Sequence, residues 1–185
     1  MKVIITQGCS ASGKTMWAEE FVKNNTNFVN INRDDIRAIL FCGGKLDWNK
    51  YKFTRANEKR VTEVQDQLIF DAVMNGKSII ISDTNLNPKY ISKFEDMEIL
   101  RGYEFEYKVF EEDLLTLLER DARRCNGVGY KTITHQYEQF KNMFKSKNHH
   151  SFSEEKQDAV IIDVDGTIAK MVSRKPSDRD WETCS

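Results

Sequence analysis

The chain has 185 residues and a mass of 21.6 kDa, which suits one compact domain and the edge of a second. Hydrophobic residues make up 39% and charged residues 31%, so a buried core is expected and wholesale disorder is excluded. The net charge is -1 and the mean hydropathy -0.61. No apolar run reaches the roughly 20 residues that span a bilayer, and MKVIITQGC turns polar too early for a signal peptide. A soluble, cytoplasmic protein is expected.

In chain order, Val3 to Thr6 reads as a short strand, followed by a glycine-containing loop and a helix through TMWAEEFVKN. Phe28 to Ile31 reads as a second strand and Asp34 to Phe41 as a short helix. Asn49 to Met74 is expected to be one long helix, with Val61, Val64 and Leu68 on one face and Asn75-Gly76 ending it. Ser78 to Ser82 is a buried strand by its apolar run, and Pro88 opens a helix at a preferred first-turn position. Phe105 to Phe110 is a strand, Leu114 to Arg124 a helix, and Ile133 to Phe144 a further helix. Strands alternating with helices imply an α/β fold, with a parallel sheet covered on both faces.

A polar stretch, residues 147–158, separates the main domain (1–146) from AVIIDVDGTIAK. That segment is a new strand with its own motif, and the chain stops 19 residues after Gly166. Residues 159–185 are therefore expected to be the incomplete start of a second domain.

Charge is unevenly spread. Residues 50–60 hold five Lys or Arg against one Glu, and residues 114–147 hold seven basic against three acidic residues. Two basic stretches on an acidic body suit a polyanion touched at one face; two solvated helix faces are the plainer account. Cys9, Cys42, Cys125 and Cys184 are scattered without a C-x-x-C pair, which excludes a disulfide framework and a cysteine zinc site. His135, His149 and His150 show no metal-ligand spacing and read as surface residues.

Gly8 to Thr15 reads GCSASGKT, a full G-x-x-x-x-G-K-[ST] between a strand and a helix. Gly8 and Gly13 let the backbone turn its N–H groups toward phosphates, and the next helix presents its positive end. Cys9, Ser10, Ala11 and Ser12 fill the loop with small side chains. Lys14 is placed to reach the β- and γ-phosphates of a nucleoside triphosphate, and the Thr15 hydroxyl to ligate Mg²⁺.

The acceptor side is carried by NRDDIR, where Asp34 and Arg37 lie three apart on one face of a helical turn. A carboxylate at a strand tip facing a P-loop is well placed to accept an alcohol proton. An adjacent Arg clamps an anionic part of the acceptor. The plainer account is a capping carboxylate with a local ion pair, a part Asp35 also suits. SIIISDTN puts Asp83, with Thr84 after it, at the end of a buried strand. Asp83 there holds metal-bound water, fixes Arg37, or makes an Asx turn. Arg120, Arg123 and Arg124 close a helix before a glycine-containing loop. They either complement the helix dipole or belong to a lid that supplies charge to the transferred phosphate.

Taken together and in order, GCSASGKT, NINRDDIR, IIISDTNLNP, LLERDARR and AVIIDVDGTIAK resemble the T-even bacteriophage polynucleotide kinase–phosphatase family. The resemblance implies a P-loop, adenylate-kinase-like kinase domain that moves the γ-phosphate of ATP to the 5′-hydroxyl of DNA or RNA. It makes Lys14, Thr15, Arg120 and Arg124 donor-phosphate and Mg²⁺ contacts. It makes Asp34 the general base and Arg37 the ligand of the acceptor's 3′-phosphate, with Asp83 and Thr84 on the acceptor side. DVDGT then resembles the first motif of a haloacid-dehalogenase-type phosphatase, with Asp163 as nucleophile and Asp165 as general acid/base. With the rest of that domain missing, no phosphatase activity is expected. A phage-encoded chain of this family works in the host cytoplasm, in a repair pathway that a nucleic-acid ligase shares. Ser10 and Ala11 stand where the family has Pro-Gly, and the lid after Arg124 differs.

Two other readings stay open. One is a P-loop kinase for a small alcohol, such as a sugar kinase or a zeta-toxin-like kinase. The other is a non-catalytic nucleotide-binding module. The basic 50–60 segment and Arg37 favour a polynucleotide over a neutral sugar, and a pure binder has no use for a general base.

Overall fold

A computed structural model of the protein describes residues 1–145. Its centre is a parallel sheet of four strands in the order β2-β3-β1-β4. The strands are β1 (Lys2–Gln7), β2 (Phe28–Ile31), β3 (Ser78–Ile81) and β4 (Glu104–Val109). β1 and β3 are the inner strands and pair in register, Val3 with Ile79, Ile4 with Ile80 and Ile5 with Ile81. Every residue of β3 is buried, which is why it reads as a continuous apolar run. Side chains alternate across the sheet. Val3, Ile5, Ile79 and Ile81 join the larger core on one face, while Ile4 and Ile80 meet Ala18 on the other.

The helices are α1 (Lys14–Asn24), α2 (Arg33–Phe41), α3 (Arg55–Met74), α4 (Pro88–Glu95), α5 (Leu114–Ala122) and α6 (Tyr130–Lys145). The N-terminus of α2 is capped by Asn32, whose Oδ1 accepts from the amides of Asp34 at 2.8 Å and Asp35 at 3.4 Å. Neither aspartate is the cap. α4 starts on Asn87 as cap with Pro88 in its first turn, and α5 starts on Asp113, which accepts from the Thr116 amide at 2.9 Å. Leu117 of α5 packs with Ile133 and Phe140 of α6 against Leu86, Cys9 and Ala11. The two last helices are thus seated on the loop that succeeds β1.

α3 differs from the expectation in two ways. It begins at Arg55 rather than Asn49, because the Thr54 hydroxyl accepts from the Asn57 amide at 3.1 Å and caps the helix there. The residues before it form a loop in which Tyr51 is buried. The buried stripe is Val61, Gln65, Ile69 and Ala72, and Leu68 is 41% exposed. Leu68 sits about 100° around the helix from Ile69, so apolar character alone misassigned its face. α6 begins at Tyr130, one turn earlier than expected.

All strand pairs are parallel, so the loops after β1, β2 and β3 open at one edge of the sheet, where ligands of such folds gather. The polar stretch 147–158 and the DVDGT motif with Asp163 and Asp165 lie outside the described residues. Among the described residues, no helix is long and apolar enough to cross a membrane.

Candidate active site

At that edge lies a cleft of about 770 Å³ lined by the three loops and by residues of the α5–α6 connection. This is the size of a small-ligand site. Its floor is the loop from Gly8 to Gly13. Gly8 cannot carry a side chain: a Cβ there would lie 2.7 Å from the Phe110 carbonyl oxygen. Gly13 has φ +95° and hands the chain into α1, a conformation that glycine adopts without strain. Ala11, at φ 67°, takes the left-handed form without that freedom. Cys9 and Ser12 are buried behind the loop, while Ser10, Ala11, Lys14 and Thr15 line the cleft.

Lys14 is 6% exposed. Its Nζ donates to the Cys9 carbonyl at 2.5 Å and to Ser12 Oγ at 3.4 Å. Burial holds its ammonium down to about 8, and Arg124 adds to that while Cys9, Asp83 and Asp34 oppose it. An ammonium so poorly solvated gains strongly when an anion replaces the missing water.

The opposite wall is built by the loop after β2 and by α3. The Arg37 guanidinium donates from Nη1 to Asp34 Oδ1 at 2.6 Å, from Nε to Glu58 Oε1 at 3.0 Å, and from Nη2 to Glu58 Oε2 at 2.8 Å. Glu58 also accepts from Arg33 Nη2 at 2.9 Å and from the Tyr51 hydroxyl at 2.6 Å. Burial disfavours the Glu58 charge, yet the donors Arg37, Tyr51 and Arg33 override it and hold the carboxyl at about 2. Burial likewise works against the Arg37 charge, and Glu58 and Asp34 outweigh it, so its pKa is raised. Asp34 itself remains half exposed to the cleft.

Asp83 does not touch Arg37. Its Oδ1 accepts from the Arg33 amide at 2.8 Å and its Oδ2 from Gln65 Nε2 at 2.9 Å. Burial pushes its carboxyl up to about 6, against the pull of the Arg33 and Gln65 hydrogen bonds. Thr84 lines the cleft beside it, and its carbonyl accepts from the Gly8 amide at 3.1 Å. On the lid side, Arg124 lines the cleft. Arg120 does not: it donates to Glu112 at 2.8 Å and reaches the floor only through the Ala11 carbonyl at 3.5 Å.

Residues 3–147 match the AAA domain family AAA_33. The chain belongs to that family. At 28% identity over 189 residues, this AAA domain chain is similar to an Autographa californica nuclear polyhedrosis virus protein provisionally named bifunctional polynucleotide kinase/RNA ligase. The match takes in 97% of this chain but only 26% of the viral protein. Among solved structures, one of a Pnkp1/Rnl/Hen1 RNA repair complex superposes with a TM-score of 0.62 at 21% identity, over 78% of this chain and 45% of the other. A second Pnkp1/Rnl/Hen1 complex gives 0.53 at 25% identity, over 64% and 39%. These superpositions show a shared P-loop fold.

Several residues of the AAA domain cleft escape a reading of its sequence. Arg33 spans Thr62, Gln65 and Glu58. Gln65 is buried in the apolar stripe of α3, and Glu58 lies two turns before it, so a polar pair seven apart on a buried face is the available signal. Asn85, at φ 46°, is buried and donates to the Thr6 carbonyl at 2.9 Å. Gln136 of α6 accepts from the Ser10 amide at 2.7 Å, a pairing across 126 positions that no local pattern announces.

Proposed function

We propose that this chain transfers the γ-phosphate of ATP to the 5′-hydroxyl of DNA or RNA. The observation that carries the reading is the Asp34–Arg37–Glu58 wall facing the P-loop. It pairs a solvent-reached carboxylate with a guanidinium whose charge is locked by a second carboxylate. Three of the five Arg37 N–H groups are engaged by Asp34 and Glu58, and the guanidinium lines the cleft, where a charge-assisted contact with an acceptor phosphate fits. A neutral sugar needs no such clamp. The viral relative's name, which couples a polynucleotide kinase with an RNA ligase, supports the same acceptor and a ligase as the partner that consumes the product.

In this mechanism the loop amides and Lys14 hold the donor phosphates, and Arg37 holds the acceptor by its 3′-phosphate. Asp34 takes the proton from the 5′-hydroxyl as that oxygen bonds to the γ-phosphorus and the bond to the β-phosphate oxygen breaks, releasing ADP. Lys14 and Arg124 offset the charge carried by the phosphate during transfer. Asp83 acts at one remove, fixing the Arg33 backbone and through it the start of α2. Mg²⁺ fits Thr15, which is exposed in the cleft at the start of α1. Among the described residues no three His, Cys, Asp or Glu form a cage, which suits an ion held largely by phosphates and water. When bound, it neutralises donor phosphate charge.

The test is end-labelling with γ-labelled ATP on matched 5′-hydroxyl DNA and RNA oligonucleotides, with small sugars and sugar acids in parallel. Label on the oligonucleotides supports the reading. Label on a small alcohol alone, or ATP hydrolysis indifferent to every acceptor, overturns it.

A further inference from the structure

Beside Arg37, at the cleft wall, stands an aromatic group that the phosphoryl-transfer scheme does not use. Trp48 and Phe53 are stacked, with centroids 5.5 Å apart and planes 18° from parallel. Tyr51 meets Phe53 edge-on at 4.9 Å. The bracing continues outward from these rings. The Tyr51 hydroxyl is bonded to Glu58, and Trp48 Nε1 donates to the Asn126 carbonyl at 2.9 Å on the far side of the cleft. The Arg37 guanidinium carbon lies 5.6 Å from the Phe53 centroid. Phe53 is nevertheless 67% exposed. An aromatic ring fixed by its neighbours and still open to water has little to give the core, yet it is already ordered for a flat ligand.

The charges beside it match. Lys52 and Arg55 flank Phe53 in the chain, both are exposed, and among the described residues neither forms an ion pair. Other cations of this basic run do: Lys50 pairs with Asp47, and Lys59 and Arg60 with Glu63. The uncommitted positive charge of the run is therefore found next to the exposed ring. An aromatic face with free cations alongside is how single-stranded nucleic acid is held without regard to sequence.

We infer that Phe53, braced by Trp48 and Tyr51 and flanked by Lys52 and Arg55, is a stacking subsite for the second base from the 5′ end of a single-stranded acceptor. This rests on the polynucleotide reading above. If Arg37 takes the phosphate that joins the first and second nucleotides, the second base leaves that phosphate within reach of the ring, whose centroid is 5.6 Å from the guanidinium carbon. The rings read no base edge, so the subsite accepts any of the bases. Lys52 and Arg55 take the phosphates further along the strand.

The experiment compares a 3′-phosphorylated mononucleoside with 5′-hydroxyl dinucleotides of different second base, in wild type, Phe53→Ala and Phe53→Trp. It also measures anisotropy of a 3′-fluorescein trinucleotide, which needs no turnover. In wild type the dinucleotides are expected to exceed the mononucleoside in kcat/KM by about tenfold, whichever base is second. Phe53→Ala is expected to abolish that ratio and to weaken trinucleotide binding about tenfold, and Phe53→Trp to keep both. With a 3′-fluorescein tetranucleotide, which has two phosphates beyond the one on Arg37, replacing Lys52 and Arg55 together with Gln should flatten the slope of log affinity against log salt by about 1.4, roughly 0.7 for each phosphate no longer neutralised. A dinucleotide-to-mononucleoside ratio that survives Phe53→Ala, or trinucleotide binding weakened less than twofold, overturns the subsite. Absence of transfer to every nucleic-acid acceptor, with binding still dependent on Phe53, overturns the kinase reading and leaves the subsite standing.

Discussion

Lys14 is held against its own stability, and the consequence is measurable. Its ammonium is buried, and burial lowers its pKa from 10.5 to about 8. At 1.36 kcal/mol per pKa unit, keeping it charged at neutral pH costs the folded state about 3 kcal/mol. Lys14→Met removes the charge and keeps the length. It also removes the Nζ hydrogen bond to the Cys9 carbonyl, which keeps only the Ser12 amide at 3.3 Å, a loss of about 1 kcal/mol. The variant is therefore expected to be more stable than the parent by about 2 kcal/mol at pH 7, or about 4–8 °C in Tm, while losing phosphoryl transfer. A lysine depressed on folding is charged in both states below pH 8, so the whole cost applies there. Between pH 8 and 10.5 the folded form gives up its proton first and the cost disappears. Urea denaturation of both proteins at pH 7 and pH 10 should show the advantage of Lys14→Met shrinking to within about 1 kcal/mol. A variant less stable than the parent at pH 7, or an advantage that does not change with pH, would refute the reasoning.

Asp34→Asn keeps size and hydrogen bonding but removes the proton acceptor. Transfer should fall by about 10²–10⁴-fold with ATP affinity nearly unchanged, and a fall under threefold would return Asp34 to a merely local ion pair. Asp83 is raised on folding to about 6, so the folded state binds its proton more tightly. Stability should accordingly fall as pH rises from about 4 to 6, and Asp83→Asn should lose that dependence in a pH series of chemical denaturation. Glu58→Gln should leave the fold intact while raising KM for a 3′-phosphorylated acceptor more than it lowers kcat, since it loosens the Arg37 clamp. Equal effects on acceptors with and without the 3′-phosphate would contradict this. Asp121 is buried and accepts from the amides of Val128 at 3.0 Å and Gly129 at 2.8 Å. Asp121→Ala should cost about 1–3 kcal/mol, and hydrogen exchange should then quicken at those two amides before any other in the loop.

The features legible in the sequence are local ones. The P-loop, the strand before it and the helix after it are set by residues close together in the chain, and Asn87-Pro88 opens α4 by neighbour chemistry alone. The long helix departs from expectation at both its start and its face. A basic, aromatic-bearing segment has helical propensity, and only the folded structure shows Tyr51 turned inward to Glu58. The Thr54 cap is local, set by the Asn57 amide three positions on, and marks the true start of α3. Arg33, Glu58 and Gln65 are hidden in the sequence because their importance lies in partners 25 to 32 positions apart. Each is unremarkable where it stands, and the network exists only once α2 lies beside α3.

The strand order carries a metric consequence. β1 leads into the donor loop and β2 into the start of α2 that carries Asp34, but the two strands are not adjacent, since β3 runs between them. With strands spaced about 4.8 Å apart, the two loops start roughly 10 Å from one another. The Gly8 amide is tied to the Thr84 carbonyl and the Thr6 hydroxyl to the Asp83 carbonyl, each within 3.1 Å. The sheet is thus a ruler with its middle mark riveted to the donor side. Replacing side chains along the two outer marks can change which alcohol is admitted, but it leaves the span that phosphate and hydroxyl must bridge. Only a rearranged sheet would lengthen it.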